Sequence, residues 1–296
     1  MIMNETTEYS TGSGYSNEAV LRLQERRDDV AKAMRFVLIG AFCLILPPLG
    51  LALIFIGYFK LKNAQKDMKA LYKDAFVREP LANNFENVIY QPVRGFSLDS
   101  VKSFQLCTTG NRFYSEDYIR ADYQGVNFEV AQVFVGYVDN SGDSSYSKTY
   151  FDGRMMVFNF PNKLVTSVII YDHKFKNRAI KKKEVKKDAV ELEAVQFNKD
   201  FEVYAPDQHD AFYLLTPPVM ERLQALSAKY QGIAMNVTGS RVVLAFHEPG
   251  KNAFDSNISI GKVDIDLEMK KVQAEIDDIK AFITVMLTPY EVSRSV

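Results

Sequence analysis

Apolar and polar positions divide this chain into two regimes. Residues 1–15, "MIMNETTEYSTGSGY", are polar with Gly and Ser and read as a disordered tail. Ser16 is a fitting N-cap for a helix starting near Asn17. From there Val20, Leu23, Val30, Met34, Val37, Ala41 and Leu44 recur at a three-four spacing. A second stripe, Ile54, Gly57, Leu61, Ala64, Met68, Leu71 and Ala75, follows Pro47 and Pro48. Met34 and Leu61 lie equally far from the proline pair, which is the matching an antiparallel helical hairpin needs.

Between the stripes, "FVLIGAFCLILPPLGLALIFIGYF" from Phe36 to Phe59 holds no charged residue. A run of that length predicts a membrane-embedded segment. One kinked helix would be about 36 Å long, enough for a hydrocarbon core of about 30 Å. A hairpin turning at Pro47-Pro48 has arms of roughly 16 Å, and its turn leaves carbonyls unpaired in lipid. The flanks favour the hairpin. Arg22, Arg26, Arg27, Lys32 and Arg35 precede the run, and Lys60, Lys62, Lys66, Lys69 and Lys73 follow it. Positive charge on both sides suits two cytoplasmic ends, whereas a single span shows an asymmetry. The expected anchor is 16–79, with Phe36, Pro47, Pro48 and Phe59 marking its apolar core.

From about residue 80 the pattern shortens. "RFYSEDYIRADYQGVNFEVAQVFVGYV" and "SSYSKTYFDGRMMVFNFPNKLVTSVIIYD" are rich in aromatic and β-branched residues, joined by the polar loop "DNSGDSS". They predict an antiparallel meander. "VELEAVQFNKDFEVYAP" reads as further strand, and "IAMNV" and "RVVLAFH" as a strand pair around "TGS". "LTPPVMERLQALSAKYQG" reads as a helix, with Thr216 as N-cap, Pro217 at its first position, Leu215 stapling to Met220, and Gly232 past its end. A long C-terminal helix from about Lys262 carries Ile265, Met269, Val272, Ile276, Ile279, Ile283 and Met286. A helix laid across the sheet explains that stripe better than a dimer face. The expected fold is α+β: an embedded N-terminal helical segment, then an antiparallel-sheet body over 80–296 with two helices.

Chemistry is sparse. A formal net charge of -1 gives no global attraction to nucleic acid or acidic partners. The two cysteines, Cys43 and Cys107, stand apart. No phosphate-binding loop, nucleophile elbow or zinc spacing occurs, so no cofactor or metal is expected. His173, His209 and His247 are scattered, each beside an acidic residue. Asp139, Ser141 and Asp143 alternate as in a calcium loop, but the Gly is misplaced and the twelfth position is not acidic. Glu116 and Asp117, with Asp122, are the candidate carboxylates for a membrane-bound enzyme. As strand neighbours, Glu116 and Asp117 point to opposite faces and do not converge.

The most distinctive polar feature is "KFKNRAIKKKEVKK", read as a basic connector. Lys174, Lys176, Arg178, Lys181, Lys182, Lys183, Lys186 and Lys187 oppose the single Glu184. A solvated loop is the ordinary reading. As an anionic-lipid contact, centred on Lys181, Lys182, Lys183, Lys186 and Lys187, each charge contributes about 1 kcal/mol near a leaflet. Nucleic acid fits less well, because no aromatic platform accompanies the charges.

Three phrases, "FYSEDYIRADYQGVNFEVAQV", "YFDGRMMVFNF" and "VELEAVQFNKDFEVYAPDQHDAFYLLTPPVMERLQAL", resemble a family of bacterial membrane-anchored proteins, domain of unknown function 3137. The third is the most specific, near a pattern "EFxxxFxVYxxDxxxAxYLLTPxxMERL", with Gln196 where an acidic residue is common. The resemblance runs from about Asn83 to the C-terminus. It implies an N-terminal pair of hydrophobic helices before a cytoplasmic domain, at the bacterial inner membrane, and no established activity. This chain has one run with two prolines instead. The function these readings favour is a membrane-anchored, non-enzymatic binding or scaffold module. Its partners would be the lipid bilayer, a further protein, or a second copy through the C-terminal helix.

Overall fold

The computed structural model describes residues 28–39, 47–141, 145–180, 189–252, 254 and 265–292. Two compact units emerge from it. The first holds the described residues up to Asn84, Phe254 and those of 265–275; the second holds the described residues of Phe85–Asn252 and from Ile276 onward.

In the first unit, helix α1 (28–39) is followed by α2 (Pro47–Tyr72), a wide π-type turn at Lys73–Arg78 and α3 (Glu79–Asn84). The expectation of a membrane-embedded segment is corrected by the length and composition of these helices. Pro47 and Pro48 open α2, where a missing N–H leaves no hydrogen bond unmade. From Pro47 to Phe59 the apolar part of α2 is about 20 Å long, short of a core of about 30 Å, and Lys60 and Lys62 follow at once. Among the described residues no helix is long and apolar enough to cross a membrane. Residues 40–46 lie outside the described residues.

α1 and α2 approach closely at Gly57. A Cβ there would lie 2.8 Å from Val37 Cγ2 and 3.1 Å from the Val37 nitrogen, so no larger residue fits without displacement. Further along, Tyr72 stacks on Phe76 with centroids 5.2 Å apart. The Tyr72 hydroxyl donates to Glu268 Oε2 (2.8 Å) in helix α9 (Ile265–Val292), and Lys271 donates to Glu268 Oε1 (2.7 Å).

The second unit is built on one antiparallel sheet. Its strands are β1 (Glu86–Gln91), β2 (Arg112–Tyr123), β3 (Val126–Asp139), β4 (Tyr146–Asn159), β5 (Val165–Asp172), β6 (Ala189–Val190), β7 (Phe201–Tyr204), β8 (Ile233–Gly239) and β9 (Arg241–His247). Their spatial order is β1-β2-β3-β4-β9-β8-β5-β7-β6. The meander β2-β3-β4 and the pair β8-β9 sit where the pattern of the sequence puts strands. The expectation of two helices in this body is corrected. α4 (Leu98–Ser103), α5 (His173–Ala179), α6 (Val195–Asp200) and α7 (Gln208–Leu214) join α8 (Pro217–Lys229) and α9.

The extra helices have local causes. α5 takes up the first part of the stretch read as connector because Asp172 caps it, accepting from the Phe175 N–H (2.6 Å). The same carboxylate accepts from Ser227 Oγ and the Ile233 N–H, both at 2.9 Å, and so ties α5 to α8 and β8. α6 interrupts the stretch read as strand and lays Phe197 on Phe201, centroids 4.5 Å apart.

Strand alternation assigns the two sheet faces. Ala131, Val133, Met155 and Val157 pack with Phe104, Phe151 and Phe175 on one face. Phe128, Val130, Met156 and Phe158 line the other, where the buried Ile279, Phe282, Ile283 and Met286 of α9 settle. Phe282 meets Phe158 at 5.0 Å, and Phe85 meets Phe128 at 4.9 Å. Asp278 fastens α9 to α8, accepting from Arg222 (2.8 Å), from the Tyr230 hydroxyl (2.7 Å) and from Lys229. Replacing Phe282 with Ala will lower the unfolding free energy by about 3–5 kcal/mol in urea titrations. Thr284→Ala, at an exposed position of the same helix, will change it by under about 0.5 kcal/mol.

Candidate functional site

The α9 face of the sheet does not stay apolar to its end. Beyond Val130 and Met156 the next residues on that face are Gln132 and Arg154, paired with each other across β3-β4. Gln132 also pairs with Glu116 of β2, and Arg154 with Phe246 of β9. One row across four strands thus reads Glu116, Gln132, Arg154, Phe246. Gln132 and Arg154 are 7% and 1% exposed.

The segment 248–252 runs along this row as a strap. The Glu248 N–H donates to the Asp152 carbonyl (2.9 Å), and the Gly250 N–H to Asp152 Oδ2 (3.0 Å). Gln132 Nε2 donates to the Lys251 carbonyl (3.4 Å). Asn252 Nδ2 donates to Asp117 Oδ2 (2.8 Å) and Glu116 Oε1 (3.4 Å). Arg154 donates to Glu248 Oε2 (3.1 Å), and its guanidinium lies over the Tyr230 ring at 5.3 Å. Tyr230 in turn stacks on Phe246, centroids 4.4 Å apart. Gly153 fits the crowding beside Arg154: its φ is +156°, and a Cβ would fall 2.0 Å from the Phe246 carbonyl oxygen.

Glu116 and Asp117 meet after all, which corrects the strand-alternation argument. β2 carries a bulge between Glu116 and Ile119, and Asp117 has φ +56°. That left-handed conformation is one a short polar side chain tolerates. It turns Asp117 inward, where the fully buried carboxylate also accepts from the Tyr90 hydroxyl (2.6 Å). Asp122, the third candidate, sits apart and accepts from Asn87 and Asn127, both at 2.7 Å. Those two hydrogen bonds hold its pKa below the usual carboxylate value.

The histidines stay separate. His173 Nδ1 is 3.2 Å from Glu202 Oε1, and the His209 N–H donates to Oδ1 of Asp207, the N-cap of α7 (2.9 Å). His247 is buried and its Nδ1 accepts from the Asp152 N–H (3.2 Å). Among the described residues no three of His, Cys, Asp and Glu gather as metal ligands. Near Asp139, Ser141 folds back on the carboxylate as a turn (N–H to Oδ1, 2.9 Å), and Asp143 lies outside the described residues.

Of the basic stretch, Lys174 and Arg178 are exposed on α5. Lys176 donates to Glu202 and to the Tyr204 hydroxyl (2.7 Å). Burial alone would lower the Lys176 pKa, but these bonds raise it above the ordinary lysine value. Lys181, Lys182, Lys183, Lys186 and Lys187 lie outside the described residues.

The first unit shows a different surface. Phe36, Leu38 and Ile39 of α1 and Phe55, Ile56, Tyr58 and Phe59 of α2 are exposed, Leu38 and Phe55 the most at 64% and 65%. Lys32, Arg35, Lys60, Lys62 and Lys66 are exposed around them, with Lys60 Nζ 5.0 Å from the Phe36 ring centroid.

Gln132, Arg154 and Asn252 were not singled out by sequence reasoning. Gln132 and Arg154 do leave a signal, as polar residues at inward positions of otherwise apolar strands. Asn252 leaves none, because its role depends on where a loop crosses the sheet.

Burial, with the nearby Arg178 charge, pushes the His247 pKa down from 6.5 to about 4. The folded state therefore favours neutral His247, and its contribution is whole above pH 6.5 and lost as pH falls from there to about 4. The wild-type chain will lose about 3 kcal/mol of unfolding free energy over that window that a His247→Gln variant does not lose, as measured by urea titrations at pH 7 and pH 4.

Residues 149–287, from β4 to within α9, match the model of a family described as protein of unknown function (DUF3137). The resemblance is thereby shown over that segment, while "FYSEDYIRADYQGVNFEVAQV" precedes it. No curated protein matches the chain. Among solved structures, the mycobacterial trehalose monomycolate transport factor A, TtfA, is similar with a TM-score of 0.33 and 11% identity. The similarity covers 72% of this chain and 93% of that one, and at that TM-score it carries no argument.

Proposed function

We propose that this protein is a non-enzymatic binding or scaffold module that attaches to an anionic lipid surface through α1 and α2. It lies on the bilayer rather than crossing it. The observation that carries this reading is the set of exposed apolar side chains on two closely packed helices, rimmed by lysines and arginine. Burying one such side chain contributes about 1.5–3 kcal/mol, and each cation near an anionic leaflet about 1 kcal/mol. An apolar stripe with a basic rim, settled into the headgroup boundary, is the chemistry of surface attachment. The proposed location is the cytoplasmic face of a bacterial inner membrane, with the sheet unit engaging a protein partner. The buried carboxylates favour no reaction: Asp117 is taken up by Tyr90 and Asn252, and no histidine accompanies it.

The full chain will co-sediment with vesicles of mixed phosphatidylcholine and phosphatidylglycerol, and less with phosphatidylcholine alone or at high salt. A Leu38→Ser, Phe55→Ser double variant will bind at least about tenfold more weakly, as loss of two buried apolar groups requires. Equal sedimentation of variant and wild type would refute the attachment, as would a dimeric mass in solution that the same substitutions abolish. Substrate turnover by the purified chain in a broad screen would refute the non-enzymatic reading.

A further inference from the structure

We draw no further inference here: the strongest candidate, the surface patch where the exposed Tyr114 of β2 pairs across the sheet with the half-buried Phe134 of β3, is an aromatic sheet face, and nothing in the structure shows what covers it.

Discussion

The pairing of β4 with β9 is the constraint on which the sheet unit depends. β4 ends a local meander, and β9 arrives from far along the chain to take its open edge. Their register aligns Arg154 with Phe246 and Met156 with Leu244. It thereby extends each cross-strand row from β2 through β9. Phe158 is held in that register beneath Phe282, so the same pairing positions the floor on which α9 rests. It also sends the chain out of β9 at His247 directly beside Asp152, which fixes where the strap starts.

The polar row under the strap follows from this geometry. Buried polar groups persist when their partners come from the backbone of another segment. Asp152 and Gln132 meet such partners in residues 248–251. Arg154 keeps its charge in a dry place because Glu248 faces its end and Tyr230 its plane. Tyr230 is shared, since its ring stacks on Phe246 while its hydroxyl serves Asp278 on α9. Burial alone would raise the Asp278 pKa, but the hydrogen bonds from Lys229 and Tyr230 and the charges of Lys229 and Arg222 hold it below the usual carboxylate range.

The parts legible in the sequence are those where one rule acts alone. Period-two alternation marked β2, β3 and β4, and the punctuation around Thr216, Pro217 and Gly232 marked α8. The capping bond itself is absent: Thr216 takes the extended N-cap conformation, but its hydroxyl makes no bond to the helix. Rules failed where a second effect intervened. Alternation separates Glu116 from Asp117 until a bulge reverses one of them. The charge of "HKFKNRA" hid a helix that Asp172 caps. Hydropathy read Phe36 to Phe59 as a membrane-embedded run turning at Pro47-Pro48, whereas a proline pair reads equally well as a helix start. The contact between Asn252 and two carboxylates depends on a loop path that no local pattern encodes.

The β4 edge also has a history during synthesis. The strands β1 to β4 pair with one another soon after they are made, but the second partner of β4, β9, lies about 80 residues further on. At about 5–20 residues per second, the ribosome leaves that edge unpaired for about 4–16 s. It is then a row of bare amides and carbonyls flanked by Met155, Met156, Val157 and Phe158. Such an edge is a template for another nascent chain. The late arrival of β9 therefore sets how long the growing chain carries an open strand edge.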